Sequence, residues 1–440
     1  MQVLHKSRYE PLSAKTLPRR LATLRPMREQ LGPATTWRVR EVGDGNLNLV
    51  FIVESGSGSL VVKQALPYAR VVGDSWPMSL ERTFFEFHAL TRLESRDPGR
   101  LPRVLHFDKE QALLVMEHLH PHIILRQALT RDIHLSQLGE HLGSYLARTL
   151  FRGSDLSMGT AERKADLALF SRNVELTGIT EDLFFTDPFM EHPRNRITPG
   201  LEEAAKAVQR DRDIKLAALS LKAKFCSCAE TLLHGDLHTG SIMVTEADSR
   251  VIDAEFAVYG PMGFDIGSLL GNFWLAFFAQ RGHHADKTSP SRSSWILEVV
   301  EEIWVTFVNE FSKLWREERT GILSGREFFE EAQDPTGSEI ALQLRLKQIW
   351  QDTLGFAGVE MHRRILGLAH ASELESIINE DQRAVCERKS LMMGRMLAVN
   401  HDALPDIRSV NCMAANINRS SIDIDHHRSV AEFTSQGISP

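Results

Sequence analysis

The chain has 440 residues, 42% hydrophobic and 25% charged, enough for one large two-lobed domain or two to three ordinary ones with a sizeable core. A formal net charge of -7 argues against nucleic acid as the main partner, which favours a basic surface, and leaves room for a small anionic ligand held by local positive charge. The four cysteines (Cys226, Cys228, Cys386, Cys412) lack disulfide-framework or zinc spacing and read as reduced thiols; no apolar run reaches about 18 residues, and the N-terminus lacks the apolar core of a secretory signal, so neither a membrane span nor export is expected and the location reads as cytoplasmic.

In chain order, residues 12–31 predict one or two short helices interrupted by Pro18 and Pro26. Three β-branched runs follow, Thr36–Val42, Asn48–Ser55 and Ser59–Ala65, predicting a three-stranded antiparallel sheet. The first connection, Gly43-Asp44-Gly45-Asn46-Leu47-Asn48, is a glycine-rich turn between strands. Dinucleotide and Walker motifs place a helix after their glycines, so this turn fits instead the protein-kinase arrangement, a hairpin tip over nucleotide phosphates, with Asn48 where the third glycine would stand. Lys63 ends an apolar strand and is followed by a helical pattern at Ser79–Arg92; Glu86 in that helix is the expected partner of the lysine, with Glu81 as the competing choice. Leu101–His106 and Gln111–Glu117 predict a second hairpin, after which the apolar strand turns polar at Glu117-His118-Leu119, where a kinase hinge would meet an adenine edge.

Beyond the hinge the pattern is helical: Ile133–Phe151, short pieces with loop over Asn173–Asn195, an amphipathic stretch at Leu201–Ala229, then Ser291–Trp315, Ile340–Leu368 and Asp381–Ala398. Residues 401–440 turn polar and are expected to be a largely disordered tail.

The chemistry concentrates between Leu232 and Gly271. Ser241–Thr245 and Arg250–Asp253 predict a hairpin that would set Ile242 opposite Asp253. Asp236, in His234-Gly235-Asp236, is then the candidate catalytic base or acceptor-orienting group, and Asp253 and Glu255, two apart on one strand face, are candidate metal ligands. Ser241 occupies the position where protein kinases carry a metal-binding asparagine. Asp265 heads an apolar helix; its first reading is an aspartate satisfying backbone amides at that helix N-terminus, its second a brace for the catalytic loop. Arg363 and Arg364 are adjacent on a helix, where one of such a pair ordinarily faces solvent and the other could neutralise a transferring phosphoryl or bind substrate hydroxyls.

With these residues in place the chain resembles the methylthioribose kinase family, relatives of the aminoglycoside and choline kinases. The resemblance rests on GDGNLNLVF (Gly43–Phe51), VVKQALPY (Val61–Tyr68), HGDLHTGSIMV (His234–Val244), EFAVYGPMGFDIG (Glu255–Gly267) and RRILGLAH (Arg363–His370), and runs from about Tyr9 to about Leu397. Ala254 stands where proline is common in the family, and Ser241 matches it. The resemblance implies an α+β, two-lobed, protein-kinase-like fold. Residues 1–118 would be an ATP-binding lobe of antiparallel sheet plus helix, 119–400 a larger, mainly helical lobe with the catalytic loop and sugar site, and 401–440 the tail. It implies ATP- and Mg²⁺-dependent phosphorylation of S-methyl-5-thioribose at its anomeric hydroxyl, a step of methionine salvage, by a homodimer. ATP would be met by Asp44, Gly45, Asn46, Asn48, Lys63, Glu86, Glu117, His118, Leu119, Asp253, Ala254 and Glu255, the metal by Asp253 and Glu255, and the sugar by Asp236, Arg363 and Arg364.

Overall fold

In the computed structural model, residues 9–43, 47–70, 73–131, 133, 135–283, 290–323 and 325–420 are described. They divide into two compact units: one up to His122 with Asn173–Leu176 and Arg250–Ala257, the other Ile123–Arg172, Thr177–Ser249 and the chain from Val258 on.

The first unit opens with α1 (Leu17–Leu21) and α2 (Arg25–Leu31); the break falls just before Pro26, whereas Pro18 sits in the first turn of α1 and does not interrupt it. Strands β1 (Arg38–Val42), β2 (Asn48–Ser55) and β3 (Gly58–Ala65) follow, then the small β4 (Tyr68–Ala69) and β5 (Gly73–Pro77), helix α3 (Arg82–Arg96), β6 (Val104–Asp108) and β7 (Leu113–Glu117). The main sheet is antiparallel with order β1-β2-β3-β7-β6, so the predicted three-stranded sheet and the hairpin after it join into five strands with β3 in the middle. Strand alternation sorts β3. Leu60 and Val62 point into a core shared with Leu17, Leu21, Leu31, Phe51, Val53 and Val115, and Lys63 is turned to the opposite face.

The second unit adds β8 (Ile123–Ile124), α4 (Leu125–Thr130), α5 (Leu138–Arg152), α6 (Thr160–Phe170), α7 (Val174–Leu183, entered from the first unit), α8 (Glu202–Arg210) and α9 (Arg212–Ser227). The single stretch expected at 201–229 is two helices, because Asp211 breaks it and caps α9 by accepting from the amides of Asp213 and Ile214. Then come β9 (Thr231–Leu232), β10 (Ile242–Val244), β11 (Ser249–Val251, on which the chain passes into the first unit), β12 (Tyr259–Gly260), α10 (Gly263–His283), α11 (Pro290–Glu317), α12 (Pro335–Leu366), α13 (Ser372–Glu375), α14 (Glu380–Val399) and α15 (Ile407–Arg419). The architecture is the expected α+β, kinase-like one: an antiparallel sheet with a helix first, a mainly helical part after it.

Two pieces of local geometry position the site. β9 and β12 pair with Leu232 opposite Tyr259, which sets the loop after Leu233 beside the start of α10. α10 and α12 meet closely: a Cβ on Gly267 would lie 2.5 Å from the Thr353 carbonyl oxygen, so glycine is required for the approach.

Two expectations are corrected. The second strand of the predicted hairpin stops at Val251, and Asp253 has φ 70 and ψ 45, followed by a 3₁₀ turn at Ala254–Phe256. Aspartate tolerates this left-handed backbone better than most residues, and it takes Asp253 and Glu255 off any common strand face. The expected disordered tail is a helix over Ile407–Arg419, capped by Asp406 and burying Val410, Met413, Ala414 and Ile417; residues 421–440 lie outside the described residues. The cysteines are free, and no helix among the described residues is long and apolar enough to cross a membrane.

Candidate active site

The first unit gathers three carboxylates around one lysine. Lys63 Nζ donates to Glu86 Oε1 at 2.9 Å and to Asp253 Oδ1, and lies 3.7 Å from Glu255 Oε1. Glu86 is the partner on α3, while Glu81 sits at the helix N-cap. Glu255 Oε2 accepts from Asn48 Nδ2 at 2.8 Å, and Asn48 Oδ1 accepts from Arg82 Nε at 2.9 Å. Asn173 Nδ2 donates to the carbonyls of Glu255 and Ala257 at 2.9 and 3.0 Å, fixing the 3₁₀ turn. Glu86 and Glu255 are buried, whereas the Asp253 side chain is 50% exposed and is the member open to a ligand.

The electrostatics follow from burial and crowding. Burial alone would lower the Lys63 ammonium, but the carboxylates of Asp253, Glu255 and Glu86 overcome it and hold it above its ordinary value. Burial raises the carboxyl groups of Glu86 and Glu255 despite the pull of Lys63, and their acidic neighbours push the same way. Glu86 is pushed up to about 8, so Asp253, the exposed member, is the carboxyl group in the cluster least hindered from carrying its charge. One oxygen from each of Glu86, Asp253 and Glu255 falls within 4.8 Å of the others. Such a set of oxygen donors suits a hard divalent cation such as Mg²⁺, whose charge would favour their ionised forms.

The second unit builds a different cluster. Asp236 Oδ1 accepts from Arg363 Nη1 and Nη2 at 3.2 and 3.1 Å and from Arg364 Nη2 at 3.3 Å. The expectation that one arginine would face solvent is corrected: side-chain exposure is 13% for Arg363 and 7% for Arg364, and both converge on one oxygen. Glu360 explains this, accepting from Arg364 Nε at 2.6 Å and from Arg363 Nη1 at 3.1 Å. On the other side of Asp236, His238 Nδ1 accepts from the Gly240 amide at 2.9 Å, which leaves the ring proton on Nε2, 3.5 Å from Asp236 Oδ2. Burial would raise the Asp236 carboxyl, but Arg363, His238 and Arg364 hold it well below the usual carboxylate range. Burial and Arg364 lower His238 against the pull of Asp236, so the ring is neutral near pH 7.

The loop carrying Asp236 is held from within and from α10. Ser241 Oγ donates to the Asp236 carbonyl at 2.8 Å, which places this serine in loop closure. Asp265 takes its second reading: its carboxylate accepts from the amides of His234 at 2.6 Å and Gly235 at 3.1 Å, leaving its own helix terminus aside. Gly235 has φ +87, a conformation glycine adopts without strain. Both Asp265 bonds are buried and charge-assisted, so Asp265→Ala is expected to lower the unfolding free energy by about 3 kcal/mol. Denaturant melts of the variant and the parent check this.

Of the other residues expected at the nucleotide, Asp44, Gly45 and Asn46 lie outside the described residues. Asn48 is buried and already committed to Glu255 and Arg82. Ala254 is fully buried. At the expected hinge, Glu117 Oε2 accepts from the Arg103 amide at 3.1 Å, His118 Nδ1 lies 2.9 Å from Ser59 Oγ, and Leu119 is buried. Arg82, His238, Glu360 and Asn272 were not singled out from sequence. The one available signal was the spacing of Glu360, three and four residues before the arginines.

The Phosphotransferase enzyme family pattern matches residues 38–294. The methylthioribose kinase of Escherichia coli O45:K1 is 42% identical over 409 residues, 92% of this chain and 97% of that protein. Methylthioribose kinase 1 of Oryza sativa subsp. japonica is 44% identical over 358 residues, 80% of this chain and 83% of its own. That of Pectobacterium atrosepticum is 41% identical over 391 residues, 88% and 94% respectively.

Proposed function

We propose, from the premise that this chain belongs to the methylthioribose kinase family and is a small-molecule kinase, that it phosphorylates S-methyl-5-thio-D-ribose on the anomeric hydroxyl, giving the 1-phosphate in methionine salvage. The observation carrying the reading is the convergence of Arg363 and Arg364 on Asp236. Held ionised, the Asp236 carboxylate can orient an attacking hydroxyl, while the two guanidinium groups beside it can neutralise phosphoryl charge. The same two cations disfavour a polycationic acceptor such as an aminoglycoside.

Each unit has its part. Lys63, fixed by Glu86, would bind ATP phosphate oxygens, with Asp44, Gly45 and Asn46 at the same phosphates and Glu117, His118 and Leu119 at the adenine. Asp253 and Glu255 would hold Mg²⁺, which when bound screens the charge of the transferring phosphoryl. Asn48, Glu86 and Ala254 would complete the nucleotide set, with Asn48 bonded to Glu255 and Glu86 to Lys63. Asp236 would orient the sugar hydroxyl and receive its proton late in the transfer, since a carboxylate of depressed pKa is a weak base until the alcohol is already losing its proton. A homodimer remains part of this reading on the family resemblance. The absence of a nucleic-acid partner rests on the net charge of -7, and a cytoplasmic location on the four free cysteines.

The test is ADP release from Mg-ATP with methylthioribose, ribose or an aminoglycoside as acceptor, the product being located by phosphorus NMR. Turnover with methylthioribose alone and phosphate on the anomeric carbon is expected. Turnover with the aminoglycoside and with neither sugar would overturn the assignment.

A further inference from the structure

Adjacent residues on an α-helix project about 100° apart, so two consecutive arginines do not naturally aim at one point. Arg363 and Arg364 do so here because Glu360 stands three and four residues before them, on the stripe of α12 that both can reach. Its two oxygens are divided between them: Oε2 takes Arg363 Nη1 at 3.1 Å and Oε1 takes Arg364 Nε at 2.6 Å. The carboxylate is itself fixed from outside α12. Asn272, on α10, donates its Nδ2 to Glu360 Oε1 at 2.8 Å and to the Ser268 carbonyl at 2.9 Å. Glu360 is 1% exposed and Asn272 2%, so water does not compete for these bonds. Asn272 follows Asp265 by seven residues, two helical turns, so the helix that braces the Asp236 loop also orients the carboxylate that aligns the arginines.

The charges balance within the cluster, with Glu360 and Asp236 against Arg363 and Arg364. Arg363 Nη2 and Arg364 Nη2 point at Asp236, and Arg363 Nη1 is shared between Asp236 and Glu360. Arg363 Nε is buried and has no hydrogen-bond partner among the described residues. An anionic oxygen arriving at this fork can take the Nη groups from Asp236, while the Glu360 bonds to Arg364 Nε and Arg363 Nη1 stay in place.

We propose that Glu360, held by Asn272, is a positioning residue that makes the Arg363–Arg364 pair a preformed two-guanidinium cradle for the phosphoryl group in transfer. The proposal rests on the kinase reading. It assigns Glu360 no contact with substrate; it acts through the arginines, removing the reorganisation that two long side chains would otherwise undergo as charge develops.

The test compares wild type, Glu360→Gln and Asn272→Ala in steady-state turnover with methylthioribose and Mg-ATP, together with the stoichiometry of nucleotide binding. Misaligning donors that act in the transition state lowers kcat and leaves ground-state binding almost untouched. Glu360→Gln is expected to lower kcat about 100-fold, with both KM values within about threefold and nucleotide still bound one per chain. Asn272→Ala, which leaves the carboxylate charge but frees its orientation, is expected to cost about 10-fold with the same pattern, and carries the test alone should Glu360→Gln not fold. Loss of kcat in step with loss of nucleotide stoichiometry would mark a structural role and overturn the proposal. So would kcat within about threefold of wild type in both variants, or a change confined to KM. Absence of turnover by the wild type with methylthioribose would instead overturn the kinase reading itself.

Discussion

Asp236→Asn is expected to lower turnover by about a thousandfold while nucleotide affinity stays within about twofold. The amide keeps the shape of the side chain and can still accept from the guanidinium groups, so the loop held by Asp265 and Ser241 should persist. What is lost is the charge that orients the acceptor and the oxygen that takes its proton. Nucleotide binding should survive because the residues assigned to it belong to the other unit. ADP release with methylthioribose and a nucleotide titration on the same preparation provide the check; turnover within about tenfold of the parent would remove Asp236 from its assigned role.

Asp253→Asn is expected to lower kcat by a similar factor, about a thousandfold, and to raise the Mg²⁺ concentration needed for half-maximal rate. Asp253 is the exposed member of the three-carboxylate cluster, and replacing it removes the anionic oxygen most open to a cation. Lys63 then keeps Glu86 and Glu255, so the fold should be little affected. A Mg²⁺ titration of ADP release reads this directly, and chelation of divalent cations should silence the parent enzyme. Parent turnover that persists under chelation, or an unchanged Mg²⁺ requirement in the variant, would remove the metal assignment.

Much of this was legible because it depends on short-range pattern. β-Branched runs between turn residues marked β2 and β3 to within a residue, and helical spacing put Glu86 rather than Glu81 in the body of α3, where it reaches Lys63. Backbone conformation and long-range convergence were not legible. Nothing in Ile-Asp-Ala-Glu says that Asp253 will turn left-handed, yet that turn separates a half-exposed carboxylate from a buried one. The arginines show the same limit. A solvent-facing partner is the usual outcome for neighbours on a helix, and it was overridden by a buried glutamate whose orientation comes from an asparagine 88 positions away. α15 was missed for another reason. Its apolar residues at 410, 413, 414 and 417 have helical spacing, and polar neighbours diluted the signal below notice.

The first unit is not one continuous piece of chain: Asn173–Leu176 and Arg250–Ala257 belong to it as much as the strands that precede them. For a polypeptide made from its N-terminus this sets a timetable. When His122 leaves the ribosome, Lys63 and Glu86 can already meet, but Asp253, Glu255 and the Asn173 side chain that ties down their turn have not yet been synthesised. The carboxylate cluster can close only after Ala257 has emerged, when all of Ile123–Ser249 has been made in between. A shortened polypeptide ending at residue 122 would therefore carry the lysine without two of its three counter-charges, and the cluster is a property of the longer chain alone.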